Sequence, residues 1–551
     1  MKAGYLTLLA AALLIPAGSA LAQKIEKGVG YGYIPMQATF KVTDMYDLSK
    51  FNANMGTARS AAMGGAFASL GADLSSMNIN PAGLGMYRTS EFGATASVAI
   101  TNMKGSFSGL RGTADDTRTT FGLNNVGAVF NVFQGSGPLT SFTFGIGYNK
   151  LADHNYSSPL YTGEGRETSI NDMFMHQVAG YVAREGAAGL DTSAPWKNDI
   201  ERGGAWLDEW GAILAYKSGM VQQKGTTDAY YLPGLSDNAL SEQYLKTLSK
   251  GSTREYTLSG GWNFRNRFYM GFSLGYIDIY QDREVTFDEK YLDNVPTDGP
   301  AADNMSYYQR VRTNGEGVNF KFGMTVRTDM GIRVGVAVHT PTVVTLENDY
   351  YSDMAVRYGS GARDGFANTP NELFTEKYYS PARLIAGLSY TYTDRAIFAA
   401  DYEWTWYNGM RVRDNEVYYK EDMDILNNGI KDNFRTGGSL RLGTEIRATD
   451  DLMVRAGWVY NFNQLSTPLK DGERFTDAPV ESSSMSGSLG IGLRLTARTS
   501  LDFAYIFSEA KYTKYDIYLY QPAEGDYTID LRGASLKHNR HNLTLSLNCR
   551  F

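Results

Sequence analysis

From about residue 90 to Phe551 the chain repeats one pattern: runs with an apolar side chain at every second position, separated by connections that are alternately short and long. Period-two alternation gives each run one apolar face and one polar face, as in a strand. In the run 138 to 150, Phe142, Phe144, Ile146 and Tyr148 alternate with Thr143, Gly145, Gly147 and Asn149. Strands that are apolar on one face and small or polar on the other suit a closed barrel standing in a membrane, with its lumen polar.

The alternation predicts strands at about 90–102, 118–133, 138–150, 252–264, 268–283, 306–326 and 331–349. It continues at 380–392, 396–408, 437–447, 453–463, 486–497, 501–518 and 539–551, about fourteen strands in all. Short turns are expected at Gln134–Gly137, Arg265–Arg267, Thr328–Met330, Thr393–Arg395, Ala448–Asp451 and Arg498–Ser500. Between them lie the longer stretches 103–117, 151–251, 284–305, 350–379, 409–436, 464–485 and 519–538. Membrane barrels have short periplasmic turns and longer external loops, and an even strand number leaves both ends of the barrel on the periplasmic side. The chain ends HNLTLSLNCRF, an amphipathic strand closing on Phe551 that resembles the signal read by the outer-membrane assembly machinery.

No run apart from the N-terminus approaches the ~18 apolar residues of a membrane helix. Residues 1–22 read as an export signal, with Lys2, an apolar run from Tyr5 to Ile15, and Ala20 and Ala22 framing cleavage before Gln23. The 59 glycines, 38 tyrosines and 13% aromatics are the residues of turns and interface girdles, and charge is only 20%. A net charge of −7 offers no basic surface to nucleic acid, and the single Cys549 excludes internal disulfides. The expected layout is a signal peptide at 1–22, an N-terminal extension and plug at 23–87, and a barrel at 88–551.

Residues 56–87, GTARSAAMGGAFASLGADLSSMNINPAGLGMYR, break the strand pattern. Clustered small residues with Met63, Phe67 and Leu70 suit a short, closely packed helix, and Asn80, Pro81 and Gly83 then force a turn. G56xxR59, M63GGAF67, Asp73 and N80PAGL84, ahead of strands, resemble the N-terminal hatch of the FadL family, outer-membrane transporters of long-chain fatty acids and other hydrophobic compounds. The resemblance implies an all-β, transmembrane antiparallel barrel of about fourteen strands with a lumenal hatch of short helices. It also implies a role in the hatch and substrate passage for Arg59, Gly64, Gly65, Phe67, Asn80, Pro81, Ala82 and Gly83. The family pattern commonly carries two acids where this chain has Ala72, Asp73 and Leu74. Residues 23–55 either add to the plug or extend into the periplasm.

In the long connection 151–251, Trp206, Trp210, Ile213, Leu214 and Val221 fall at helical spacing. Two readings stay open: an external groove in which Trp206, Trp210 and Leu214 capture an apolar ligand, or a lid packed on neighbouring loops. In the third strand Pro138, Gly145 and Gly147 either weaken the wall for a lateral opening of the family's kind or serve barrel geometry.

Catalytic chemistry is thin. None of His154, His176, His339, His538 and His541 sits in a nucleophile setting, and His538 and His541 point to opposite faces of a strand. No cofactor, metal site or phosphate loop is indicated, so the chain is not expected to be an enzyme. The expected function is passive, hatch-controlled passage of a hydrophobic small molecule through the outer membrane of a Gram-negative bacterium, from lipopolysaccharide-covered surface to membrane lipid. A general diffusion porin and a haem- or lipid-binding receptor are the alternatives. A sixteen-carbon chain gains up to ~12 kcal/mol from burial at ~0.8 kcal/mol per CH₂, so release matters as much as capture. The substrate, whether fatty acid, aromatic hydrocarbon, bile-derived lipid or haem, is left open by the residues.

Overall fold

The structure is a computed structural model. It describes residues 31–33, 42–52, 55–107, 112–163, 169–191, 210–223, 230–232, 234–235, 240–292, 294, 300–359, 364–413, 420–466, 475–476, 480–515, 519–521 and 534–551. The expected signal at 1–22 and Trp206 lie outside the described residues.

Fourteen antiparallel staves close into a barrel. They are β1 (Glu91–Phe107), β2 (Thr113–Gln134), β3 (Leu139–Asp153), β4 (Leu240–Phe264), β5 (Phe268–Leu292), β6 (Ala302–Arg327) and β7 (Ile332–His339, continuing as Val343–Tyr358). The remainder are β8 (Glu372–Tyr379 with Arg383–Tyr392), β9 (Ala396–Trp406), β10 (Thr436–Arg447), β11 (Leu452–Asn461), β12 (Glu481–Arg494), β13 (Thr499–Tyr512) and β14 (Ala534–Arg550). The barrel closes where β1 pairs with β14, Glu91 opposite Arg550. β7 is interrupted at 340–342, where Pro341 supplies no ladder donor, and β8 breaks beside Pro381.

The barrel continues well past the membrane at its long-loop end. β4 and β5 have 25 residues each and β6 has 26, against the ~9–11 needed to cross. Much of what the alternation assigned to long loops at 103–117, 284–305 and 350–379 is therefore paired strand, as Asp282↔Arg312 and Phe287↔Tyr307 show. The physical reason is a reversal of polarity along the long staves, β5 among them. On β5, Phe272, Leu274 and Tyr276 face outward with Ser273 and Gly275 inward. Beyond Asp278 the outward positions are polar, Glu284, Thr286 and Asp288, and Val285, Phe287 and Tyr291 are buried inside. The switch marks where lipid gives way to water around the wall.

Three layers fill the lumen. Nearest the short turns lies the hatch, with α2 (Ala58–Ala62), α3 (Ser76–Ile79) and the 3₁₀ turn Pro81–Met86. Above it sits α1 (Val42–Leu48), so the described residues 42–52 add to the plug. At the long-loop end, α4 (Ile170–Glu185) and α5 (Trp210–Lys217) pack inside the extended wall against Phe287, Met305, Tyr307, Tyr350 and Phe374. Tyr31–Tyr33 pairs with Leu519–Gln521 of the last long connection. Among the described residues, 31–33 thus lie at the long-loop end and 55–87 toward the short-turn end.

Candidate functional site

The N-terminal plug is fixed in the lumen by its own polar groups and by its contacts with glycines of the wall. Thr57 caps α2 by accepting the Ser60 N–H, and its hydroxyl donates to Asp73 at 2.8 Å. Asp73 also accepts the Ser75 N–H at 2.9 Å, which gives the one acid of this stretch a role in closing the loop. Gly64 and Gly65, at φ 64° and 70°, reverse the chain after α2 in the left-handed region that favours glycine. A Cβ on any of Gly261, Gly271, Gly323, Gly335, Gly443 or Gly457 would fall within 2.6 Å of a hatch atom. These six lie on six different staves, so the wall offers bare backbone where the hatch backbone rests. That contact has no sequence motif; its only trace is glycine at inward positions on successive strands.

Asn80 is fully buried and joins both sides of this contact. Its amide nitrogen donates to the Ala68 carbonyl within the hatch, and to the Met324 carbonyl at 3.3 Å and Thr325 Oγ1 at 3.2 Å on β6. Its side-chain oxygen accepts the Ala82 N–H at 3.1 Å, capping the 3₁₀ turn that Pro81 starts. Gly83 packs against Ser76 and Gly71, where a Cβ would come within 2.6 Å of Ser76 Oγ. Arg59 makes a two-pronged contact with Glu445 on β10, at 2.8 and 2.9 Å, and its guanidinium lies 5.4 Å from the centre of the buried Phe67 ring. Glu445 in turn accepts from Arg455, which reaches Asp502 at 2.6 Å. Lys321 pairs with Glu255 and donates to Asn78 Oδ1 at 2.9 Å, and His339 Nε2 meets the Ile79 carbonyl at 3.1 Å. The residues expected from sequence to serve a hatch lie at separate contacts of the plug, Arg59 against β10 and Asn80 against β6; the wall glycines and the ion-pair partners have no contiguous signal because they are scattered over the barrel.

Above the hatch is a cavity of ≈ 260 Å³ lined among others by Tyr46, Met103, His154, Leu245, Val459 and Leu536. Its charged lining is paired: Asp44 with Arg283 at 2.6 Å, Lys50 with Glu481 at 3.0 Å, Asp153 with Arg540 at 2.8 Å, and Glu403 with Arg441. Burial acts to lower the Lys50 pKa, but the carboxylates of Asp47 and Glu481 outweigh it and hold it well above its ordinary value. His154, in the bend after β3, hydrogen-bonds Thr253 Oγ1 at 2.9 Å, and burial lowers its pKa to about 4. His538 and His541 each meet a tyrosine hydroxyl, Tyr512 and Tyr505. Among the described residues no group of three or more His, Cys, Asp or Glu is placed to hold a metal ion.

Between β2 and β3 the wall has a seam. Asn124 is an extra residue in β2, since Thr95 pairs with Asn125 and Ala96 with Leu123. β2 pairs with β3 only from Asn125↔Asn149 toward the short turns, so residues 113–124 have no ladder partner on that side. Side chains span the gap, with Asp116 meeting Ser157 and Lys246, and Arg118 donating to the Ser249 carbonyl at 2.8 Å, and at its upper end the Gly112 N–H donates to the Thr162 carbonyl at 3.3 Å. Gly145 and Gly147 remain in regular pairing with Val129 and Gly127, and the space they leave holds Met77 of the hatch. Pro138 lies in the turn before β3 and accepts the Arg265 N–H. Trp210 and Leu214 are packed inside the long-loop core rather than presented to an open groove.

No family model matches the chain, and no curated protein matches it either. Solved structures do. The Pseudomonas putida toluene transporter TodX is 13% identical over 92% of this chain and 99% of its own, with a TM-score of 0.48. A Pseudomonas aeruginosa FadL homologue is 14% identical, covering 91% and 98%, with a TM-score of 0.47. The TodX monoaromatic hydrocarbon channel lacking S2 is 13% identical, covering 91% and 100%, with a TM-score of 0.51. The class of protein that the fold defines is a transmembrane β-barrel with a folded plug. Within that class its architecture is FadL-like, a likeness of fold.

Proposed function

We propose that this chain is an outer-membrane transporter of small hydrophobic compounds, with the short turns in the periplasm and the long connections outside. The observation that carries the reading is the plug seated on wall glycines below a cavity lined in part by Ala152, Asp153 and His154, at the end of β3 beyond its pairing with β2. A lumen filled in this way does not serve as an open aqueous pore, which sets the porin alternative back. The paired charges of the cavity wall leave little field to reject an apolar guest. At ≈ 260 Å³ the cavity is smaller than the ~300–1,000 Å³ usual for ligand pockets. That favours a compact molecule, such as the monoaromatic hydrocarbon of the TodX channel lacking S2, over an extended acyl chain. Release would be sideways, through the unpaired stretch at Asn124, into the membrane. Nothing in this route needs an energy source or catalysis, and export by the signal at 1–22 and assembly through the strand ending in Phe551 complete the reading.

The test is uptake of radiolabelled toluene and of a labelled sixteen-carbon fatty acid by cells with and without the protein, alongside planar-bilayer conductance. Toluene uptake with low conductance supports the proposal. Large, stable conductance with no hydrocarbon uptake returns it to the porin reading.

A further inference from the structure

Three lysines stand side by side on the outside of the wall. Lys104 on β1 pairs with Lys537 on β14, and Lys537 pairs in turn with Lys511 on β13. All three are exposed. Alternation fixes their face, because both ladders run without a register shift from the lipid-facing belt to the lysines. Lys104 shares the outward face of β1 with Phe92 and Ile100, Lys537 that of β14 with Leu543 and Leu545, and Lys511 that of β13 with Phe503.

The row lies toward the long connections, beyond the belt. Ile100 and Phe507 both pair with His541, and the next outward row, Asn102, Asn539 and Glu509, is polar. At ~3.4 Å per residue and a tilt near 40°, the step from His541 to Lys537 carries the lysines ~10 Å past the apolar belt. The polar layer of a bilayer is ~5–8 Å deep on each side, and a lysine stem can bend back toward it.

Neighbouring strands are ~4.8 Å apart, so three positive charges are held within about 10 Å by the backbone ladder, and like charges placed directly opposite oppose folding. Asp115, opposite Lys104 on β2, and Glu509 are the carboxylates beside the row. Neither forms an ion pair with it, and none of the three lysines has an ion-pair partner among the described residues. Outward cations above the belt on β4 to β7 are different, with Lys250 beside Glu284 at 3.6 Å, Arg254 beside Asp278 at 3.3 Å, Arg310 beside Asp282 at 2.7 Å and Arg312 beside Asp349 at 3.8 Å. The wall thus neutralises its outward cations there and leaves them unneutralised across the closure of the barrel.

We infer that Lys104, Lys511 and Lys537 form a binding site for the phosphates of lipopolysaccharide in the outer leaflet, with its acyl chains lying on the apolar rows beneath. Ammonium groups serve as point charges for phosphate, and three in a line match a headgroup that carries more than one. The inference goes beyond transport and shares with that reading only the placement of the long connections outside the cell.

The experiment uses the whole protein in mild detergent with excess EDTA, so that no divalent ion can bridge a phosphate to Asp115 or Glu509. It is mixed with bisphosphorylated lipid A, with dephosphorylated lipid A or with phosphatidylglycerol, and retained lipid is counted by native mass spectrometry. Wild type is expected to prefer bisphosphorylated lipid A. K104Q/K511Q/K537Q should retain it roughly a hundredfold less well, at about fivefold per lysine near an anionic headgroup. K104R/K511R/K537R should keep the preference, as should K250Q/K290Q, whose lysines already have carboxylate partners. Heat modifiability checks that each variant is folded. Equal retention by wild type and the glutamine triple variant, or of lipid A with and without phosphate, would overturn the inference. So would retention of phosphatidylglycerol in preference to lipid A, which would fit the long-loop end to the inner leaflet instead.

Discussion

The side chain of Asn80 occupies the space that a side chain at Gly323 would take: a Cβ built on Gly323 would lie 1.9 Å from Asn80 Oδ1. The hatch residue and the wall residue therefore specify one another. Gly323→Ala should displace Asn80 and break its contacts to β6, while Asn80→Ala should leave the Ala82 N–H and the Ala68 carbonyl unsatisfied at a cost of about 1–3 kcal/mol. Either is too small to open a closed barrel. Both variants should stay heat-modifiable and show raised, flickering bilayer conductance; silent channels in both would remove this contact from the closure of the lumen.

Arg59 holds the other side of the hatch. Arg59→Gln leaves Glu445 with Arg455 alone, so the carboxylate keeps a partner and the barrel should fold. The hatch should loosen by about 1.5–3 kcal/mol, reduced by the partial exposure of Arg59, since hydrogen bonds to charged groups contribute about that much. Faster amide exchange across residues 58–67, with no change in β10, is the expected signature. Unchanged exchange would mean that the wall glycines alone retain the hatch.

The order of the strands was legible because lipid-facing alternation is a local property, and the hatch was legible because its residues are contiguous. Three things were not. Past Asp278 on β5 the apolar face turns inward, so the same alternation continues with the opposite meaning and reads as loop. Gly145 and Gly147 suit either a weak wall or plain barrel geometry, and both stay paired; the β2/β3 ladder stops next to the extra residue Asn124, which no residue type announces. The seat of the hatch is made of glycines distributed over six staves, and distance in sequence hides them until the barrel closes.

The N-terminal strap makes a topological prediction. Gly32 is paired with Tyr520 in the last long connection, so the double variant G32C/Y520C, in a Cys549→Ser background, should form a disulfide. In intact cells the reduced thiols should react with a membrane-impermeant maleimide, whereas a cysteine at Ser500 in a short turn should react only after the membrane is permeabilised. The reverse pattern would place the strap at the periplasmic end.

The seam allows the sharpest test of lateral release. Because Thr95 pairs with Asn125 and Ala96 with Leu123, deleting Asn124 removes the bulge while leaving every other partner of β1 in register. The two halves of β2 would then form one regular strand, and residues just above Asn125 could extend the ladder with β3 instead of leaving it at Asn149. The side-chain hydrogen bond lost is the one from the Ser97 hydroxyl to Asn124, while that from Asn125 to Asn149 survives. Net loss should stay near the ~1 kcal/mol of a typical hydrogen bond, with the barrel heat-modifiable as before. If an apolar guest leaves sideways at this point, hydrocarbon uptake should fall to the level of cells without the protein while bilayer conductance stays unchanged. Uptake that persists in the folded deletion variant would send the route straight down past the hatch, and in that case Asn80→Ala, not the deletion, would be the variant that alters the rate.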